Sequence, residues 1–205
     1  MEPFTRLTAV ALPLVRPNID TDIIIPSREM RSVSKTGLAG GLFAGWRYTE
    51  VGGREPNPDF LLNQPAYRDA RILLAGANVG CGSSREHAAW ALAEYGFRAV
   101  VAPSFNPIFF NNCVRNGIVP VLLPQECVDA IAGAVLAAPD LARPTVDLDA
   151  RSLTMPDGTG YGFTLDGESW EMLRHGLDAI DLTMAREDIA PFIAADMRKR
   201  PWAYL

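Results

Sequence analysis

Histidine and cysteine are scarce in this chain, with two histidines and three cysteines among 205 residues. Cys81, Cys113 and Cys127 are odd in number and widely spaced, with no C-x-x-C pair. That pattern excludes a disulfide framework and the usual zinc spacings. A reducing compartment is the simple expectation. Basic charge is also short: 19 Lys and Arg stand against 24 Asp and Glu, a net charge of −5. A nucleic-acid partner would want a basic face, so none is expected. The longest apolar run, Ala130 to Ala138, is about half of the ~20 residues that cross a bilayer. The opening M-E-P-F-T-R-L lacks a basic stretch followed by an apolar one, so no signal peptide and no membrane association are expected, and the cytoplasm is the expected location. No repeat, low-complexity tract or domain boundary is visible, and residues 1–205 read as one domain.

Enough apolar residue remains for a core: 48% of the chain is hydrophobic and 21% charged, a globular profile. Thr5 to Leu12 reads as a strand stopped by Pro13, and the three isoleucines after N-I-D-T-D read as a short buried strand. Residues 27 to 45 hold four glycines and little periodicity, the signature of a long mobile loop, and a loop of that length is usually functional or disordered. The middle of the chain is regular: a strand over Arg71–Ala77, a helix over Ser84–Tyr95 closed by Gly96, then a strand over Ala99–Ala102. Such a unit makes the two strands parallel. A second helix starts at Asn106-Pro107 and ends at Gly117, the segment I-V-P-V-L-L follows as a strand, and Pro124–Ala138 is a third helix. From Thr145 short alternating strands form a β-meander around the turn Pro156-Asp157-Gly158. The tail from Ser169 to Lys199 is helical in two pieces broken near Gly176, with Thr183 as a cap for the second. The class is α/β with an added β-meander.

The stretch V-G-C-G-S-S-R-E-H, residues 79–87, gathers two glycines, a thiol, two hydroxyls, an arginine and a histidine where a strand hands over to a helix. One reading is structural. Ser83 and Glu86 have capping-box spacing, in which each side chain satisfies a free backbone N–H of the other's end of the turn. It leaves Arg85 unexplained, because a cation in the first turn opposes the helix dipole. The other reading is a carboxylate-binding loop, with Ser83 as base, Arg85 as clamp, and Gly80 and Gly82 allowing close backbone approach. Two competitors are weaker. A dinucleotide fingerprint would need a glycine where Arg85 stands and an acidic residue after the next strand. A Cys81 nucleophile with His87 as base lacks a third group to orient the histidine, and His175 has no ligand spacing around it.

The segment G-C-G-S-S-R-E-H-A-x-W-A-L-x-x-Y-G-F, followed by A-P-S-F and N-G-x-x-P-V, resembles the small subunits of 3-isopropylmalate dehydratase in the aconitase superfamily. The early D-T-D-I-I-I-P, the middle W-R-Y with P-N-P-D-F-L-L-N, and the late G-L-D-A-I-D-L-T match in order and spacing. The resemblance implies a swivelling domain of β/β/α layers and a hydro-lyase active only with a large subunit. It implies a [4Fe-4S] cluster on that large subunit and no cofactor in this chain. The implied reaction moves the hydroxyl of 2-isopropylmalate to the neighbouring carbon, in leucine biosynthesis. Residue by residue, Ser83 matches the superfamily's base, Arg85 the arginine that grips a substrate carboxylate, Ser84 a neighbour with its backbone in reach, and Asp22 an acidic site residue. Residues 27–37 match the segment that sets substrate choice, with Arg28, Arg31 and Lys35 open as a second carboxylate contact. Aconitase carries a non-thiol residue where Cys81 stands. Two other readings stay open: a sister hydro-lyase for a smaller diacid such as citraconate or a methylmalate, and a dicarboxylate-binding module with no chemistry.

Overall fold

The computed structural model describes residues 1–30, 34–184 and 190–204. Two four-stranded sheets form its frame. The first is parallel, in the order β2 (Ala11–Leu14), β3 (Ile72–Ala75), β4 (Ala99–Ala102), β5 (Val119–Leu122). Nearly every residue of these strands is buried, as expected of a parallel sheet covered by its crossover helices. The second is antiparallel, in the order β1 (Arg6–Thr8), β6 (Thr145–Asp147), β7 (Ser152–Thr154), β8 (Gly160–Gly162). Its last three strands are the expected meander, and β1 adds to its edge.

The first expected strand is therefore two strands in two different sheets, with Pro13 inside the second. The physical reason is position. β2 and β5 are the sheet's edges, where Pro13 and Pro120 can turn a missing N–H away from the neighbouring strand.

The isoleucine run is also not a strand. Asp20 accepts a hydrogen bond from the backbone N–H of Ile23 at 2.7 Å, capping the short helix α1 (Thr21–Ile24). A capped turn buries Ile24 and Ile25 completely, so the apolar demand that suggested a strand is met by a helix.

The 27–45 segment carries more structure than one long loop. Ser27–Glu29 and Ala39–Gly41 are single 3-10 turns, and α2 (Ala44–Arg47) follows. Leu38, Leu42 and Phe43 lie in the core, where Phe43 stacks on Trp46 with ring centroids 6.1 Å apart.

Between the strands of the parallel sheet run α3 (His87–Tyr95) and α4 (Pro107–Arg115), with α5 (Gln125–Ala137) packed across β2, β3 and β4. Gly96 closes α3 in the left-handed conformation, and Asn106 caps α4 through hydrogen bonds from Ile108 and Phe109 N–H, both as read from sequence. α6 (Gly167–His175) ends at left-handed Gly176. Thr183 is not a cap: it sits inside α7 (Ala179–Met184), its hydroxyl donating to the carbonyl of Ala179 at 2.8 Å. α7 and α8 (Ala190–Lys199) bury none of their residues. No described helix is long and apolar enough to cross a membrane.

Candidate active site

The Ser83 loop leaves the carboxyl end of β3, between the chain segments that leave β2 and β4. Backbone hydrogen bonds stitch it on both flanks. On one side Asn18 N–H donates to Ala77, Gly80 N–H to Ile19 at 2.7 Å and Thr21 N–H to Cys81 at 3.0 Å. The buried Thr21 hydroxyl adds a bond to the carbonyl of Ser83 at 3.0 Å. On the other side Val79 N–H donates to Ser104, and Asn106 N–H returns to Val79. Ligands of open α/β sheets bind beyond the carboxyl ends of the strands, and this loop stands there.

Gly80 has φ +74, and a Cβ built on it would lie 2.0 Å from the Phe109 ring. Its lack of a side chain therefore serves packing against α4. Gly82, at φ +90, faces only Asp20 and Thr21 at ordinary contact distance. Against the described residues, the left-handed backbone is what calls for glycine here.

The capping box does not form. α3 begins at His87, its N-cap is Glu86, and no side chain caps it. Glu86 instead accepts from the Asn116 side chain at 3.0 Å. Ser83 thus stands four residues ahead of the helix, and its carbonyl takes the N–H of Arg85 at 2.7 Å in a tight turn. The side chains of Ser83 and Ser84 are exposed, and neither hydroxyl hydrogen-bonds a described residue. Both are open to an incoming molecule.

Arg85 and Asp22 meet each other. The guanidinium Nη1 pairs with the Asp22 carboxylate, both groups partly exposed. A guanidinium has five N–H donors in a rigid fork. With Asp22 on one nitrogen, the remaining donors are oriented and still available to a carboxylate.

The basic residues of the 27–37 segment part company. Arg28 lies 3.5 Å from the neighbouring carboxylate of Glu29. Glu29 is buried and is held more closely by Arg54, at 2.6 Å. Arg31 lies outside the described residues. Lys35 places its ammonium 5.3 Å from the centre of the Trp90 ring on α3, and the His87 ring lies 4.6 Å from the same indole. Of the two that are described, Lys35 is thus the one drawn toward the helix that follows the serine loop. Thr21, Arg54, Trp90 and Glu94 were not picked out from sequence. The D-T-D triplet was the one signal for Thr21, since a threonine between two aspartates at a helix start is placed to bind backbone.

Cys113 is fully buried on α4, and burial pushes its thiol far above the ordinary range. Cys81 and Cys127 are half-buried. Alkylation of the folded protein with iodoacetamide near pH 8 should label Cys81 and Cys127 and spare Cys113 until denaturant is added. Peptide mass mapping would show it, and prompt labelling of Cys113 would contradict the burial. A cleft of about 680 Å3 opens elsewhere, beside the end of β2, lined by Arg16, Trp46, Asn57, Asp59 and Phe60 among others. Its guanidinium already lies over the Trp46 ring, and no residue of the serine loop lines it.

Residues 1–126 match the family of the aconitase C-terminal domain. The chain belongs to that family. Its similarity to curated members runs further, over the whole length. It is 57% identical to the 3-isopropylmalate dehydratase small subunit of Cupriavidus necator, covering 100% of this chain and 99% of that one. To the small subunit of the same enzyme in Paramagnetospirillum magneticum it is 50% identical, covering 98% and 100%. The crystal structure of 3-isopropylmalate dehydratase (leuD) from Methanocaldococcus jannaschii superposes with a TM-score of 0.64 at 25% identity, covering 87% of this chain and 94% of that one. The mixed parallel and antiparallel sheets are thus the architecture of the aconitase C-terminal domain, as the resemblance implied.

Proposed function

We propose that this chain is the small subunit of a 3-isopropylmalate dehydratase, a hydro-lyase that interconverts 2- and 3-isopropylmalate in leucine biosynthesis. The observation that carries this reading is full-length identity of 57% to a protein of that name, on a fold whose serine loop is stitched in place with its hydroxyls open. Ser83 is the base in this proposal. Arg85, oriented by Asp22, holds the carboxylate beside the C–H bond that breaks, with the backbone at Ser84 as a further contact. Removing a proton next to a carboxylate builds charge on a group that is already anionic, so a fixed cation beside it lowers the barrier.

The departing hydroxyl needs a Lewis acid. Among the described residues no three His, Cys, Asp or Glu side chains come together as a metal site. We place the [4Fe-4S] cluster on the large subunit, as the family resemblance implies, and assign no residue of this chain to it. Relatives named small subunits imply such a partner. The three free cysteines suit the cytoplasm.

The test is reconstitution. The chain alone should show no turnover, and mixing it with a cluster-loaded large subunit should give turnover of isopropylmalate in preference to citraconate or a methylmalate. Hydratase activity of the purified chain by itself, or a preference for the smaller diacids, would overturn the reading.

A further inference from the structure

His87, Trp90 and Glu94 fall at i, i+3 and i+7 along α3, one face of the helix. Each meets a different part of the site region. His87 is the residue at which the serine loop becomes helix. The Trp90 ring lies beneath the Lys35 ammonium at 5.3 Å. Glu94, near the helix end, receives three consecutive backbone N–H groups: Gly37 on one carboxylate oxygen at 2.6 Å, and Leu38 and Ala39 on the other at 2.5 and 2.8 Å.

Three N–H donors in a row form the concave anion cradle that usually binds a free ion, and here a side chain of the same protein fills it. Partial burial pushes the Glu94 carboxyl up, but the three N–H bonds outweigh that and hold it below the ordinary carboxylate range. The ionised form is therefore the one that grips the segment. Within the grip Leu38 turns its side chain into the core, and Arg47 donates to the carbonyl of Ala39 at 2.9 Å. Two residues before the grip stands Lys35. From His87 to Glu94 the helix rises about 10 Å, so one rigid element sets the separation between the serine loop and the basic segment.

We infer that Glu94 is a positioning residue for substrate selection: by clamping residues 37–39 to α3 it fixes where Lys35 stands relative to the Ser83 loop. This rests on the function proposed above, with Lys35 taken as the second carboxylate contact of its substrate. Glu94 touches no reacting atom, and its effect is on how well the substrate is held.

The test uses Glu94→Gln and Glu94→Ala small subunits reconstituted with the large subunit, beside wild type. Glu94 lies at the surface, so both variants should fold, with a melting temperature lowered by only a few degrees for the lost N–H bonds. The expected result is a KM for isopropylmalate raised about tenfold, the loss of a charge-assisted contact, with kcat within threefold. The preference over a methylmalate should narrow. Glu94→Asp, which keeps the charge on a shorter arm, should recover part of the preference. Tryptic cleavage after Lys35 in the small subunit alone should quicken several-fold in Glu94→Ala. Unchanged cleavage, or unchanged KM and preference where wild type is active, would overturn the inference. Wild type that turns over no isopropylmalate would instead overturn the proposed function, while the cleavage rate still decides whether the clamp holds.

Discussion

Ser83→Ala should cost the reconstituted enzyme about two to four orders of magnitude in turnover, the range contributed by a general base. Each tenfold corresponds to about 1.4 kcal/mol of barrier, so the loss is roughly 3–5 kcal/mol. The folded chain should be unaffected, because the Ser83 side chain is exposed and its fixed partners use its backbone carbonyl, not its hydroxyl. Assembly with the large subunit, followed by size-exclusion chromatography, should match wild type. Steady-state kinetics then read the chemistry alone. Activity surviving within about tenfold would remove Ser83 from the role of base. A binding module without chemistry would leave nothing for the substitution to abolish.

Gly80→Ala should be the most damaging single methyl in the loop. An alanine at φ +74 costs about 1–2 kcal/mol in left-handed strain. Its Cβ would also fall 2.0 Å from the ring of Phe109, which is fully buried on α4. Forcing that contact apart costs a further ~1–3 kcal/mol of overpacking. At roughly 2–4 °C per kcal/mol for a chain of this size, the melting temperature should fall by about 10 °C. The second site makes the cause separable. Phe109→Ala alone opens a cavity, and with it in place Gly80→Ala should cost clearly less than in wild type, because the clash is gone and the strain remains. Strict additivity, or a melting temperature within about 2 °C for the single variant, would mean that the ring is not what glycine 80 avoids. Gly82→Ala carries the strain without the clash and should fall between.

The difference between these glycines shows where sequence reading stops. Both stand in the same motif and both take positive φ, so a tight turn was legible. Which one also answers to packing depends on Phe109, 29 positions along the chain and brought there by α4. Local rules did well where a structural feature is closed within a few residues. Asn106-Pro107 and Gly96 marked helix ends because a cap is satisfied by the next turn of backbone. They failed at Ile23-Ile24-Ile25 and at Pro13. An apolar run meets its need for burial as either strand or helix, and a proline's tolerance depends on which strand lies beside it. The capping box failed for a related reason. Glu86 found a tertiary partner in Asn116, and the helix started three residues later than local spacing predicts.

The candidate site divides the same way. Sequence alone determined the kind of groups present: a hydroxyl pair beside an arginine, an aspartate after a threonine, and a handful of basic residues. Covalent order carries that information, because residue type and near-neighbour spacing are written directly in it. Only the tertiary structure decided who faces whom. It paired Arg85 with Asp22 across 63 positions, drew Lys35 over Trp90, and closed Glu94 on the amides of 37–39. Those contacts join segments far apart in the chain. Their energies exist only once the parallel sheet has brought the ends of its strands together.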